Sequence, residues 1–204
     1  MNATLRNALT AVLAVVSIAL AYWLFRIINH PIAYERIKGF RYQMVQQRLE
    51  QIRDAQLAYK QELGSFAGDF NTLIAFVDTG KINIVERKDS SFQYYNTTFQ
   101  QEMIKDTVVV RVLGNKPVKT SVFTEDFKTE SLRYIPFPEG SQKEFAMAAS
   151  TIERNDLKLP VFEVSAANTD IFADVADRYK DLIKPDYKLV LGSLTEPSTS
   201  GNWK

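Results

Sequence analysis

The feature that most constrains this chain is an apolar stretch near its start, which carries no charged residue between Arg6 and Arg26. An α-helix rises about 1.5 Å per residue, so a stretch of this length just crosses a hydrocarbon core of about 30 Å. The sequence therefore predicts a short tail at residues 1–7 and a transmembrane helix at residues 8–28. The residues expected to anchor it are Leu9, Val12, Leu13, Val16, Leu20, Tyr22, Trp23 and Phe25.

Two other interpretations of this stretch compete with an uncleaved anchor. Arg6 and the small residues of Ala19-Leu20-Ala21 also fit a secretory signal peptide. Against cleavage, the apolar run continues through residues 22–25, with large aromatic side chains directly after the cleavage pattern. The third interpretation is a buried helix of a soluble protein, but such helices rarely lack charge over this length. We therefore favour the uncleaved anchor.

A second helical pattern follows a break predicted at Asn29-His30-Pro31, because a proline disfavours helical geometry for the residue before it and suits the first turn of a new or kinked helix. Residues 32–63 predict an amphipathic helix of about 45–50 Å. We expect its later half, residues 49–59, to pack on the sheet of its own domain. Its earlier half is expected to pack either in that domain or against another chain. The candidate partner contacts there are Ile37, Phe40, Met44 and Val45.

The rest of the sequence predicts one soluble domain at residues 32–192, which includes the long helix, and a flexible tail at residues 193–204. The fold class is α+β: an N-terminal transmembrane helix continues into a long amphipathic helix packed on an antiparallel sheet. Further helices are predicted at residues 69–76 and 168–182. Strands are predicted at residues 82–86, 106–113, 132–137, 143–149, 157–164 and 187–191.

The clearest strand is residues 106–113, which is rich in β-branched side chains and is followed by Gly114-Asn115-Lys116-Pro117. Its partner is expected to start at Val118. Residues 87–91 predict a solvated loop, and residues 92–99 are open between strand and loop. Residues 153–156 predict the turn of an antiparallel hairpin.

The opening of the chain resembles the type IV pilins and the pseudopilins of secretion systems. The resemblance covers about the first 80 residues, and it rests on the apolar segment, the proline, and generic packing positions at Ala55, Tyr59, residues 64–66 and residues 71–73. It implies a membrane-rooted helix laid on an antiparallel sheet. The chain lacks the prepilin-peptidase site of that family, because Thr4, Arg6 and Asn7 stand where its glycine and glutamate would lie.

The charges that flank the apolar stretch bear on its orientation. Arg6 precedes it, and Arg26, Arg36, Lys38 and Arg41 follow, which alone favours a cytoplasmic domain. A bacterial signal anchor with a very short N-terminal tail, however, commonly exports the domain that follows it. The pilin resemblance points the same way. We expect a single-pass protein of the bacterial inner membrane, with its soluble domain in the periplasm or outside the cell.

No motif in the sequence specifies a reaction. The chain has no cysteine, and its single histidine, His30, lies at the predicted membrane edge. Asp170, Asp174 and Asp177 fall on one side of a predicted helix, and we interpret them as solvated, with a weak calcium site as the alternative. We predict no catalytic residue, no cofactor and no metal.

Charge and aromatic content bear on the expected partners. A net charge of +1, from 25 basic and 24 acidic residues, disfavours nucleic acid. The cluster of Phe92, Tyr94, Tyr95 and Phe99 is a candidate partner-binding patch, although core packing is the favoured interpretation. The expected partners are the membrane and other proteins, including copies of the chain.

These patterns favour a structural role over an enzymatic one. We expect a non-catalytic, pilin-like structural or scaffold subunit of a cell-envelope assembly. The alternative is a membrane-tethered ligand-binding or sensory domain, and a membrane-anchored hydrolase comes third. Fold class alone does not decide among them.

Overall fold

The computed structural model of the chain describes residues 3–96, 100–140 and 142–203. The α-helices are α1 (Ala3–Leu63), α2 (Phe70–Thr79), α3 (Val118–Val122) and α4 (Asn168–Ile171). The strands are β1 (Lys81–Asn96), β2 (Gln101–Pro117), β3 (Ala146–Arg154), β4 (Leu157–Ala167) and β5 (Lys188–Gly192). Short 3-10 helices occupy Thr129–Leu132 and Ala173–Val175. The chain is therefore mixed helix and sheet, as predicted.

Helix α1 runs through Pro31 without interruption, so the predicted break at residues 29–31 is wrong. A proline inside a helix removes one hydrogen bond and costs about 3 kcal/mol. Strong helical patterns on both sides of Pro31 outweigh that cost. In the preceding turn, the side chain of Asn29 donates to the carbonyl of Phe25 at 2.9 Å. Anchor and amphipathic segments are parts of one helix.

The N-terminal part of α1 is long and apolar enough to cross a membrane, by length and composition. Its apolar side chains are exposed along the helix, from Leu9 to Ile28. Its few polar side chains bond to the helix itself: Thr10 Oγ1 donates to Asn7 O at 2.9 Å, and Ser17 Oγ donates to Leu13 O at 2.8 Å. All eight predicted anchor residues lie on this exposed surface.

The chain divides into two compact units, and neither is continuous in sequence. The first unit comprises Met1–Arg48, Ile135–Lys143 and Ala166–Leu189. The second unit comprises Leu49–Tyr134, Glu144–Ser165 and Val190–Lys204. These bounds differ from the predicted boundaries of an anchor, a single soluble domain and a tail.

The strands form two antiparallel arrangements. Strands β1 and β2 form a two-stranded sheet, and β3, β4 and β5 form a three-stranded sheet in that order. The predicted hairpin turn is confirmed between β3 and β4, where Asn155 and Asp156 take φ values of 52° and 62°. Positive φ at both central residues is what a tight two-residue hairpin turn requires.

Three sequence predictions near the first sheet and after it are wrong. Residues 87–91 are part of β1 rather than a loop, since the ladder with β2 continues through them. The partner of residues 106–113 is β1, whereas the chain from Val118 forms helix α3. Residues 132–137 form no strand; the chain there makes only an isolated bridge from Tyr134 to Glu144.

The predicted helix at residues 168–182 is limited to α4 and the 3-10 helix Ala173–Val175. Successive turns follow, with Tyr179 N donating to Val175 O at 3.1 Å and Leu182 N donating to Tyr179 O at 2.9 Å. Asn, Thr and Asp have weak helix propensity, so tertiary contacts decide the local conformation. Phe172 and Tyr179 are both buried in the first unit.

The C-terminal residues, predicted to be a flexible tail, fold back on the end of β5. Asn202 N donates to Val190 O at 3.0 Å, and Val190 N donates to Asn202 Oδ1 at 3.1 Å. A bridge from Leu191 to Gly201 continues the pairing. These hydrogen bonds hold a segment whose composition alone suggests disorder.

The core of the second unit includes the later half of α1. Leu49, Ile52 and Ala55 are fully buried, and the ring of Tyr59 contacts that of Phe76 on α2 at 5.0 Å. A buried Gln56 interrupts the apolar stripe, and both ends of its amide bond to the backbone of Ala67 at 2.9 Å. Packing of the whole helix on the sheet stays a prediction.

Candidate functional site

The most unusual surface in the described structure is the two-stranded ribbon formed by β1 and β2, in the second unit. Its strands have 16 and 17 residues and pair from Lys81 opposite Pro117 to Asn96 opposite Gln101. The side chains described along it are exposed, apart from half-buried Ile82, Thr107 and Gly114. Both faces of the ribbon therefore meet solvent.

An apolar stripe follows one face of β2. Side chains two residues apart in a strand share a face, so Ile104, Val108, Val110 and Val112 lie on one side of the ribbon. Each of the four is more than half exposed, at 66%, 54%, 55% and 57%. The sequence marks residues 106–113 as a strand, but β-branched residues of this kind usually pack against a neighbour. Here they form an open apolar surface.

The two strands differ in the charge at their centres. Residues 86–89 of β1 are four consecutive charged residues, whereas residues 107–110 of β2 carry none. Glu86 lies opposite Arg111 in the ladder, so that pair of charges can be balanced within the ribbon. The outer edge of β1 is thus highly charged, and the outer edge of β2 is apolar at its centre.

The aromatic cluster predicted at residues 92–99 lies on β1. Phe92, Tyr94 and Tyr95 are exposed at 49%, 37% and 60%, and the rings of Phe92 and Tyr94 lie 6.3 Å apart. The favoured interpretation, core packing, is therefore wrong for these three residues. Phe99 lies outside the described residues. A partner-binding patch stays a prediction for Phe92, Tyr94 and Tyr95.

The candidate partner contacts on α1 are split between surface and core. Phe40 and Met44 are exposed, and Ile37 is half-buried. Val45 is fully buried in the chain, so no partner can reach it in this structure. Val45 was predicted as a partner contact because it lies on the same helical stripe as Ile37. Sequence spacing does not show where another segment covers that stripe.

The first unit contains a polar centre around Arg41, which is only 8% exposed. Its guanidinium donates to both carboxylate oxygens of Asp174 at 2.6 and 2.7 Å, and to the carbonyl of Ile171 at 2.7 Å. It also lies over the rings of Phe137 and Phe172, at 5.2 and 5.6 Å. The hydrogen bonds from Arg41 lower the pKa of Asp174 below its usual 3.8.

Tyr42 joins the same centre on the next residue of the helix. Its hydroxyl donates to Asn168 Oδ1 at 2.7 Å, and the Asn168 amide donates to Lys184 O at 3.0 Å. Burial raises the pKa of Tyr42 to about 12, although the hydrogen bond with Asn168 acts in the opposite direction. This network uses the polar atoms of Asn168 to hold two segments of the first unit together.

His30 also has a structural place in the first unit. Its Nε2 lies 2.9 Å from the carbonyl oxygen of Arg178, and its ring lies 5.0 Å from that of Tyr179. Tyr34, one helical turn later, contacts Phe172 and Tyr179 at 5.7 and 5.5 Å. The histidine therefore belongs to the contacts that fix residues 172–179 on the helix.

The described side chains form no group of three metal-binding residues. Asp174, predicted to be solvated, instead pairs with Arg41, and Asp170 lies 3.4 Å from Lys143. A cavity of about 390 Å³ opens in the first unit, next to Tyr42 and Asn168. Its wall includes Lys38, Lys184, Tyr42, Tyr187 and Glu35, a set that can bind a small polar ligand.

Compared with known protein families, curated proteins and solved structures, the chain shows no match. The Arg41–Asp174 pair was missed from sequence, although a signal exists: Arg41 stands on the apolar stripe between Ile37 and Val45. An arginine at a stripe position indicates a buried ionic partner. The exposure of the ribbon had no comparable signal.

Proposed function

We propose that this chain is a non-catalytic structural subunit that is anchored in the bacterial inner membrane and assembles with protein partners through the β1–β2 ribbon. The observation that carries the proposal is the exposure of the ribbon on both faces, including its Val-rich stripe. An isolated two-stranded hairpin is marginally stable in water. Contiguous exposed apolar surface of this kind marks interaction sites.

The anchor is supported by the surface and the internal hydrogen bonds of α1. Exposed apolar side chains from Leu9 to Ile28 need a cover other than water, and the described part of the chain supplies none. Hydroxyls that bond to their own helix, as those of Thr10 and Ser17 do, are compatible with a hydrocarbon environment. A membrane-spanning helix satisfies both observations.

The proposed orientation and shape follow the sequence. The soluble residues lie in the periplasm or outside the cell, and α1 supports them in the manner of a pilin stem laid on a sheet. Substituting the exposed Glu125 with Cys gives a site for a membrane-impermeant maleimide, because the chain has no cysteine of its own. Labelling in intact bacterial cells is expected, whereas labelling only after lysis would contradict this orientation.

Assembly is tested by placing a charge on the stripe. In membranes that contain the full chain, amine cross-linking followed by blue-native electrophoresis should show the wild type in complexes. The Val110→Lys variant should lose them. Leu157→Lys is the matched control, since Leu157 is an exposed apolar residue at the start of β4, away from the ribbon. A wild-type chain that migrates as a solitary monomer would contradict the proposal.

A second candidate function, a membrane-tethered ligand-binding domain, is favoured by the cavity beside Lys38 and Lys184. Lys184, Lys38 and two tyrosines suit a small anion, with Glu35 offsetting the charge of Lys38 at 3.0 Å. Citrate and inorganic phosphate are suitable probes for the full chain in detergent. A thermal stabilisation by either anion that is lost in Lys184→Met would support this candidate, and unchanged unfolding with both would exclude these anions.

A further inference from the structure

We propose that β2 pairs with β2 of a second copy of this chain, antiparallel and across a two-fold axis at Val109. The inference rests on the proposed function and names its partner. The two ribbons would form one four-stranded sheet, in which the β2 strands are central and the β1 strands are outermost. Sheets of this size are stable where a lone hairpin is not.

The edges of the ribbon indicate which of its two strands pairs with the second copy. Among the described residues β2 has β1 as its only strand neighbour, so the backbone groups along its other edge are open. Natural edge strands are commonly protected from such pairing by charged side chains. Strand β1 has that protection at residues 86–89, and β2 lacks it at residues 107–110. The unprotected edge is therefore β2.

The sequence of β2 is complementary to itself when reversed about Val109. Val109 then lies opposite its copy, and Val108 lies opposite Val110 of the second chain. Thr107 faces Arg111, and Asp106 faces Val112, so no like charges oppose each other over residues 106–112. Cross-strand pairs of β-branched residues stabilise sheets, and like charges destabilise them. A two-fold contact needs this kind of self-complementary surface.

Edge-to-edge pairing of two ribbons is also more compatible with the charges on the ribbon faces than face-to-face stacking is. The face that carries the Val-rich stripe also carries Arg87, Asp89 and Asp106, all exposed. Face-to-face stacking would remove these charges from water without an established partner. Edge pairing leaves them solvated and brings the stripes of two copies side by side on one face.

Cysteine cross-linking can measure the register, since the chain has no cysteine of its own. Directly opposed residues in an antiparallel pair have Cα atoms about 4.5–5.5 Å apart, which lies within the range that a disulfide spans. The full chain carrying Val109→Cys, oxidised in membranes, should form a covalent dimer. Lys88→Cys is the matched control, because Lys88 lies opposite Val109 in the ribbon but on the other edge strand.

A mixed experiment tests the register directly. Chains carrying Thr107→Cys and chains carrying Arg111→Cys should cross-link when coexpressed with each other, and neither should when expressed alone. Efficient cross-linking of Lys88→Cys, or none of Val109→Cys in a chain that still forms complexes, would overturn the inference and leave the proposed function standing. If no complex forms with any partner, both fall.

Discussion

The polar centre of the first unit and the ribbon of the second unit differ in how far their side chains are paired and covered. The Arg41 guanidinium, the Asp174 carboxylate and the Tyr42 hydroxyl all have hydrogen-bond partners, and aromatic rings lie over the guanidinium. Along the ribbon, apolar and charged side chains alike are exposed. The first region is therefore complete within one chain, and we propose that the second is completed by another chain.

The largest expected effect is in the first region. Phe172 is fully buried and contacts the rings of Tyr34 and Tyr42. Phe172→Ala should lower the free energy of unfolding by about 3–5 kcal/mol, because it leaves a cavity. Urea unfolding of the full chain in mild detergent measures this loss. An effect similar to that of Val110→Ala on the exposed ribbon would remove the contrast between the regions.

The Arg41–Asp174 pair should give a smaller, pH-dependent effect. Asp174→Asn should lower the free energy of unfolding by about 1–2 kcal/mol at about pH 7, because it removes the ionic partner of a buried arginine. The loss is small because the side chain of Asp174 is 40% exposed, so that solvent screens the pair.

The pH dependence has a definite sign. The pKa of Asp174 in the folded chain lies below 3.8, so its contribution is present above that pH and is lost as the pH falls through the folded value. Wild type and Asp174→Asn should therefore differ near neutrality and converge in acid. Asp177→Asn, at an exposed neighbour, is the control. A difference that grows in acid would contradict the role assigned to this pair.

The hydrogen bond from Tyr42 should contribute less to the free energy of unfolding than the Arg41–Asp174 pair does. Tyr42→Phe removes the donor to Asn168 and should lower the free energy of unfolding by about 0.5–1.5 kcal/mol. Asn168 keeps its bond to the carbonyl of Lys184, so the local fold should persist. Urea unfolding measures the loss, and Tyr187→Phe, at a tyrosine stacked on Tyr42, is the control for removing a hydroxyl while both rings stay in place. Equal losses in both variants would contradict a specific role for the bond.

The smallest effect on folding is expected in the ribbon. Val110→Thr keeps the β-branched shape, and at a site 55% exposed it should change the free energy of unfolding of the dissociated chain by less than about 0.5 kcal/mol. The same change should weaken assembly, because it adds a hydroxyl to the apolar stripe. Dilution in mild detergent, followed by light scattering, measures the dissociation. Unchanged assembly would contradict a contribution of the Val-rich stripe to assembly.

The sequence predicted the helices and strands whose patterns are local, and missed what depends on distant residues. The apolar helix, α2 and the hairpin turn at Asn155 follow from periodicity and turn chemistry. The pairing of Arg41 depends on Asp174, which lies far along the chain, and the burial of Val45 depends on tertiary packing that helical spacing does not show. The exposure of the valines in β2 could not be predicted either, because a β-branched strand has the same sequence pattern whether its side chains are covered or exposed.

Hydrogen exchange of the ribbon amides in isolated membranes tests most directly whether another chain covers β2. In residues 106–112 the informative amides are those that point away from β1, which should exchange slowly in the wild type and fast in Val110→Lys. Amides of β3 and β4 serve as the internal reference and should be unchanged. If these outward-pointing amides exchange fast in the wild type, or equally slowly in both proteins, a ribbon completed by a partner is contradicted.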